Sequence, residues 1–364
     1  MRSDRGILAF NLSKLVCVRC GLVRSGSQRA DTELFDYYTD EYTLSTQGVE
    51  HFFYTTRGLV SRSAMLCDWL VNAMGAHRWQ KAARCLEIGA GSGALLQEFV
   101  ERFPGSTFEG IELNKSAAES AQQRGLTVRQ CTLENFDGGP YDIIYTVAVL
   151  EHVPSPSDFL KEIRKRLRPG GWLYLCQPTQ DVPSYDVFFA DHISHFGSDH
   201  LHQYSRKCGF RDQGLCVGHE WMPNFSLHLW QAIEPSQDEF IWNGPPGYTT
   251  CSETAQSVLN DMTRLNRQLE QWGAQGRKVA VFGLNEVYWL ARSYSVLGEF
   301  PIQCGLDDSP DKPEYSQFGF QIIKPEEALS FGIQDVILTM NKVYYEQAKR
   351  RLETLGFSVY PLLS

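Results

Sequence analysis

Three glycines at alternate positions, Gly89, Gly91 and Gly93, close the short apolar run Leu86-Glu87-Ile88 and precede a helical pattern that opens at Ala94-Leu95-Leu96. A strand feeding a glycine turn and then a helix brings backbone close to a ligand, because glycine has no side chain to exclude it and accepts positive φ. The turn is read as a cradle for a nucleotide-like ligand. Apolar runs near 84–88, 107–111, 126–130, 141–146 and 171–177 alternate with helical patterns, followed by runs from Gly209 to Val217 and from Asn224 to Ile233. Such alternation specifies an α/β fold with a parallel sheet, which the last two runs complete as an antiparallel pair.

Glycine spacing bears on which nucleotide fits. A dinucleotide fingerprint runs Gly-x-Gly-x-x-Gly. Here the run is Gly-x-Gly-x-Gly, with the acid Glu87 two places before the first glycine. The second strand ends at Glu112, about twenty residues beyond the loop, where a carboxylate can accept hydrogen bonds from both ribose hydroxyls. That spacing suits a nicotinamide dinucleotide equally. Further on come Tyr141 to Val153, with Leu150-Glu151-His152-Val153 after the fourth strand, then Phe159 to Ile163, then Leu167-Arg168-Pro169-Gly170-Gly171 leading into the fifth strand. The Leu167 to Gly171 stretch by itself reads as a helix stop with a glycine cap.

In order and spacing these motifs resemble the class I S-adenosylmethionine-dependent methyltransferases. The resemblance implies S-adenosyl-L-methionine as cofactor, held by Glu87, Gly89, Ala90, Gly91 and Gly93 of the loop, with Glu112 on the ribose and Leu113 beside the adenine. After the third strand, Thr132 stands where relatives often have an aspartate on the adenine amine, with Leu133 and Glu134 as substitutes. Val147 and Ala148 then line the methionine end. Methyl transfer from a sulfonium is a direct displacement, so alignment of the acceptor and removal of its proton are the main tasks left to the protein.

For that proton, Ala190-Asp191-His192-Ile193-Ser194-His195 follows the fifth strand, where acceptor-side loops lie. Histidine titrates near neutrality, and a neighbouring acid can hold its ring. In the sugar C-methyltransferases an acid-histidine pair at this place is implicated as base, and Asp191-His192 matches it. His195 is read either as a second catalytic group or as a cap for a helix beginning near Ser198. His152 is read either as catalytic or as closing the turn after the fourth strand. Aromatics at Phe35 to Tyr42 and Phe52-Phe53-Tyr54 are candidates for a substrate pocket or for core packing.

The expected organisation is an N-terminal segment over 1–59, a methyltransferase domain over 60–235, a linker with a polar amphipathic helix over 236–276 and a second α/β unit over 277–364. That last unit, with strands at Lys278 to Gly283, Ile302 to Leu306 and Asp335 to Thr339, resembles the Rossmann-like C-terminal domain of the same sugar-modifying family. Its first turn, Gly283-Leu284-Asn285-Glu286, keeps one glycine where a cofactor loop has several, so it is read as a substrate-holding or dimerising lobe. The complete fold class is therefore a seven-stranded Rossmann-like methyltransferase sheet with a smaller Rossmann-like domain behind it.

Cys17-x-x-Cys20 is the single such pair among ten cysteines. It resembles the latter half of a zinc-binding N-terminal module of that family. A structural zinc needs four ligands, so the pair is read as orphaned and reduced, with no metal bound. A formal charge of −9 argues against a phosphate-backbone binder and for a small-molecule acceptor. With no run of eighteen apolar residues and no secretory leader at Met1 to Phe10, neither membrane association nor export is expected, and the protein is placed in the cytoplasm. Three functions are weighed: methyl transfer to carbon or oxygen of a small polar acceptor, such as a (nucleotide-)sugar or natural-product intermediate; NAD-dependent oxidoreduction; and a catalytically silent scaffold.

Overall fold

The computed structural model describes residues 12–26, 36–42, 52–55, 58–75, 77, 79, 83–219, 222–234, 248–308, 310, 315, 318–340 and 342–363. The chain divides into two compact units, with the boundary between Cys251 and Ser252. Phe35 lies outside the described residues, as do the side chains of Phe52 to Tyr54.

The first unit opens with a hairpin, β1 (Lys14–Val16) and β2 (Val23–Ser25), whose turn carries Cys17 and Cys20. A second hairpin, β3 (Phe52–Thr55) and β4 (Gly58–Ser61), leads into the helix Arg62–Met74, where the Ser61 hydroxyl accepts from the Ala64 amide at 3.0 Å and so caps it. Then come β5 (Arg84–Ile88), β6 (Thr107–Glu112), β7 (Val128–Gln130), β8 (Tyr141–Val147), β9 (Leu167–Pro178), the short β10 (Ser194–His195), β11 (Phe210–His219) and β12 (Met222–Ala232). Seven of these form one sheet in the order β11-β12-β9-β8-β5-β6-β7. Strands β5 to β9 are parallel, while β12 runs antiparallel to β9 and β11 antiparallel to β12.

Side-chain alternation along the central strands explains why both faces are dry. Cys85, Ile143, Tyr145, Tyr174 and Cys176 join one buried cluster with Leu70, Trp79 and Phe99. Their neighbours Leu86, Ile144, Leu173 and Leu175 join the other with Leu160, Ile163 and Trp230. A period of two with apolar residues on both faces requires helices on both sides, as parallel sheets have. Each fully buried leucine or isoleucine contributes on the order of 1.5–3 kcal/mol.

One local expectation is corrected. The helix Pro156–Arg166 does not end in a glycine cap: its C-cap is Leu167, at φ −90° and ψ 142°. Leu167 pairs with Tyr141 as the first residue of β9, and the ladder is irregular between Tyr141 and Ile143. Gly170 serves that irregularity, at φ 76°.

The second unit holds β13 (Val279–Phe282), β14 (Cys304–Leu306), β15 (Ile322–Ile323), β16 (Asp335–Leu338) and β17 (Ser358–Pro361). All are parallel, in the order β15-β14-β13-β16-β17. The outer strands β15 and β17 were not legible in the sequence. A Cβ at Gly283 would stand 2.8 Å from the Met340 Cβ and 3.0 Å from the Thr339 carbonyl oxygen, so the turn after β13 is closely packed by its own unit. Among the described residues no helix is long and apolar enough to cross a membrane. All ten cysteines are free thiols.

Candidate active site

The turns after β5, β6, β8 and β9 lie at the carboxyl ends of parallel strands, the edge at which open α/β sheets take ligands. After β5, Gly89, Gly91 and Gly93 all adopt positive φ, at 76°, 53° and 81°. The amides of Gly89 and Ala90 donate to the Ile111 carbonyl at 2.9 and 3.0 Å, which ties the loop to β6. The Gly91 amide donates to one Glu112 carboxylate oxygen at 2.7 Å, and the Asn114 amide donates to the other at 2.7 Å. The Leu113 amide is a third backbone donor to this carboxylate, and with two acceptor positions on each oxygen Glu112 keeps capacity for one more donor. Burial pushes the Glu112 carboxyl up, opposed by the Asn114 and Gly91 amides.

Glu87 lies beneath this loop, 4% exposed, and accepts from the Tyr145 hydroxyl at 3.2 Å. Burial holds its carboxyl well above the usual range, which favours the neutral acid. Leu113 is half-buried, and its carbonyl accepts from Gln130 Nε2 at 3.4 Å. After β7, the Thr132 hydroxyl accepts from the Asn135 amide at 3.3 Å, while Leu133 is buried and Glu134 exposed. Val147 and Ala148 are half-buried at the end of β8, and Ala148 takes φ 53°, uncommon outside glycine.

The segment Tyr37–Glu41 forms a single π-helical turn beside these residues. Asn114 Nδ2 donates to the Tyr38 and Tyr42 carbonyls at 3.3 and 3.1 Å. The Tyr38 hydroxyl lies 2.6 Å from His152 Nδ1 and 3.5 Å from Asp191 Oδ2. Tyr38 thus joins the end of β6 to the cluster that follows β8 and β9.

That cluster contains Glu151, His152, Asp186, Asp191, His192 and His195. In two overlapping groups, Glu151 with His152 and His192 and Asp186 with His192 and His195, one nitrogen or oxygen from each residue lies within 4.8 Å of the others. The His192 ring meets His152 edge-on at 4.8 Å and Phe189 at 4.9 Å. Its Nδ1 is 3.7 Å from Asp186 Oδ2, an oxygen that His195 Nδ1 contacts at 2.7 Å. The other Asp186 oxygen accepts from Gln180 Nε2 at 2.6 Å. Burial opposes ionisation of Asp186, yet His195 and His192 hold it well below the usual carboxylate range. Burial pushes His195 down to about 4 and His152 down, so both rings favour the neutral form.

Against the sequence expectations, His195 does not cap the helix Ser198–Lys207. Gly197 is the N-cap, with its amide donating to His200 Nδ1 at 3.0 Å. The Asp191 carboxylate has Tyr38 at 3.5 Å and His152 Nδ1 at 3.8 Å, and the Asp191 carbonyl lies 3.0 Å from the same His152 nitrogen. Sequence reasoning missed Asp186; it quoted Glu151 only as part of the turn motif after the fourth strand, and Tyr38 only among the aromatics read as pocket or core. Both Glu151 carboxyl oxygens are buried with no hydrogen-bond partner among the described residues, and burial raises the group to about 7.

Residues 62–213 match the family model described as a methyltransferase domain. Among curated proteins, ubiquinone biosynthesis O-methyltransferase of Burkholderia vietnamiensis (strain G4 / LMG 22486) is 28% identical over 142 residues, which is 36% of this chain and 60% of that protein. The corresponding enzyme of Burkholderia ambifaria (strain MC40-6) is 29% identical over the same shares. The chain thus spans less than two thirds of these relatives. Among solved structures, mitomycin 7-O-methyltransferase MmcR aligns with TM-score 0.40 and 17% identity, over 47% of this chain and 54% of that one. The stretch 62–213 is therefore similar to a methyltransferase domain, and to two O-methyltransferases over part of their length.

Proposed function

We propose that the protein transfers a methyl group from S-adenosyl-L-methionine to a small polar acceptor. The observation that carries this reading is the bond from the Gly91 amide to Glu112 at 2.7 Å, beside a buried histidine-acid cluster at the same sheet edge. The residues suit the cofactor: a turn of positive-φ glycines supplies close backbone approach, and the Glu112 carboxylate at the end of β6 can accept from a ribose hydroxyl. Glu87, Gly89, Ala90, Gly91, Gly93, Glu112, Leu113, Thr132, Leu133, Glu134, Val147 and Ala148 would hold it. When bound, it supplies an electrophilic methyl on a sulfonium.

The chain's own task is then to orient the acceptor and take its proton. His192 is the base in this reading, a ring packed between His152 and Phe189 with a nitrogen available to accept from a hydroxyl or an acidic carbon. Asp191, His195 and His152 complete the acceptor side. The methyltransferase domain occupies 60–235, and the unit beyond 277 serves as a substrate-holding or dimerising lobe. Sugars, nucleotide-linked or free, and natural-product intermediates are the acceptor classes to try, at carbon or oxygen. The test is a screen of such acceptors for release of S-adenosylhomocysteine by the wild type, with His192→Ala as control. Turnover that survives that substitution removes His192 as base.

A further inference from the structure

Two features are not absorbed by the proposed function: the amino-terminal hairpin with its cysteine pair, and the buried acid Asp186. They meet at one loop. Strand β2 pairs with β10, with Ser194 opposite Arg24 and His195 opposite Val23. The Ser25 amide donates to the Ile193 carbonyl at 2.8 Å, and the Ile193 amide donates to the Glu151 carbonyl at 2.7 Å. The hairpin therefore holds one side of the histidine loop and the turn after β8 holds the other.

Lys14, on β1, reaches into this loop. Its Nζ donates to the carbonyls of Phe189 and His192, both at 2.9 Å, and so brackets the Ala190 to His192 stretch. Charged and titratable groups around the His192 ring are Asp186, His195, His152, Glu151, Asp191 and Lys14. Of the carboxylates, Asp186 lies nearest the His192 Nδ1, at 3.7 Å, an ion-pair distance longer than a hydrogen bond, with that oxygen bonded to His195 and the other fixed by Gln180. This arrangement has the logic of an acid that fixes the tautomer and plane of a catalytic imidazole without itself taking the proton.

We propose that Asp186 is the positioning residue for the His192 imidazole, shared with His195, and that Lys14 of the amino-terminal hairpin clamps the loop that carries both histidines. The inference rests on His192 being the base, as proposed above. The amino-terminal hairpin that carries Cys17 and Cys20 then delivers the ammonium that fixes the loop backbone. Asp186 holds Nδ1–H on His195 by a direct hydrogen bond at 2.7 Å and favours it on His192 by charge attraction across 3.7 Å, which leaves the His192 Nε2 as the nitrogen able to accept a proton.

The test is ¹⁵N NMR of the histidine-labelled full chain at neutral pH, with resonances assigned through His192→Gln and His195→Gln. In the wild type both rings are expected as the Nδ1–H tautomer, and Nε2–H on both would overturn the proposal without any acidic-site variant. Asp186→Asn should shift the tautomer balance of His192 and His195, whereas Asp191→Asn should move His152 and leave those two in place. The reverse pattern overturns the assignment. Lys14→Gln, on a short surface hairpin, should broaden or shift His192 while His228 stays fixed. An unchanged His192 signal removes the clamp. Once an acceptor is known, Asp186→Asn should lower kcat at least about tenfold with KM for the cofactor unchanged. If the NMR pattern holds but His192→Ala retains turnover, the base assignment fails while the positioning of the ring by Asp186 stands.

Discussion

The Tyr38 hydroxyl and the His152 Nδ1 lie 2.6 Å apart, although 114 positions separate them in the chain. Tyr38 also accepts through its carbonyl from Asn114, two residues beyond Glu112. Tyr38 thus links, through its carbonyl and its hydroxyl, the turn after β6 to the histidine-acid cluster after β8 and β9. Tyr38→Phe keeps the ring contacts and removes the hydroxyl. It should lower stability by about 0.5–1.5 kcal/mol, read by denaturant titration, and reduce turnover while cofactor affinity stays within a few-fold.

Glu151 gives a pH signature with a definite sign. Its carboxyl rises from 4.5 to about 7 through burial, so between those values the folded state holds a proton that the unfolded state has released. Stability from this group therefore falls as pH rises from about 4.5 to about 7. The Glu151→Gln variant lacks the effect. The stability of the wild type relative to Glu151→Gln should drop across that window by at most about 3 kcal/mol. A difference that is flat with pH, measured by urea unfolding at several pH values, would show that Glu151 titrates normally.

Gly89→Ala probes the loop. An added Cβ would sit 2.5 Å from Val149 Cγ2 at a residue with φ 76°. Strain and overlap together should cost about 1–3 kcal/mol and weaken cofactor binding, checked by thermal melts with and without S-adenosylhomocysteine.

Cysteine reactivity should be ordered. Cys17 is exposed, and backbone amides of Cys20 and Arg19 pull its thiol below the usual range. Burial pushes Cys176 up to about 12 and Cys251 up to about 12. Timed alkylation with mass spectrometry should label Cys17 first. Early labelling of Cys176 would contradict the fold of β9.

The sheet and the glycine turn after β5 were readable from sequence because their signals are local. Apolar runs at β8 and β9, three alternate glycines and an acid at the end of β6 each lie within a few residues. The cap at Leu167 was misread because its extended backbone is dictated by pairing with Tyr141, distant in sequence. The histidine-acid cluster was half legible. His152, Asp191, His192 and His195 sit in recognisable motifs, but Asp186 lies on the one-turn helix Tyr185–Phe188 with no motif around it. Its importance follows from contacts to Gln180, His192 and His195 that only folding creates. Lys14 is further still from any local signal, bonded across 178 positions to the His192 carbonyl.

The most direct test is calorimetric titration of S-adenosylhomocysteine into the wild type and into Glu112→Ala, with folding of both checked by circular dichroism. Loss of one charge-assisted hydrogen bond should weaken binding by about 1.5–3 kcal/mol, or about 10- to 150-fold in Kd. Saturable binding by the wild type that Glu112→Ala reduces to this extent is the predicted result. A wild type that shows no heat of binding, or a folded Glu112→Ala that binds equally well, would contradict the account.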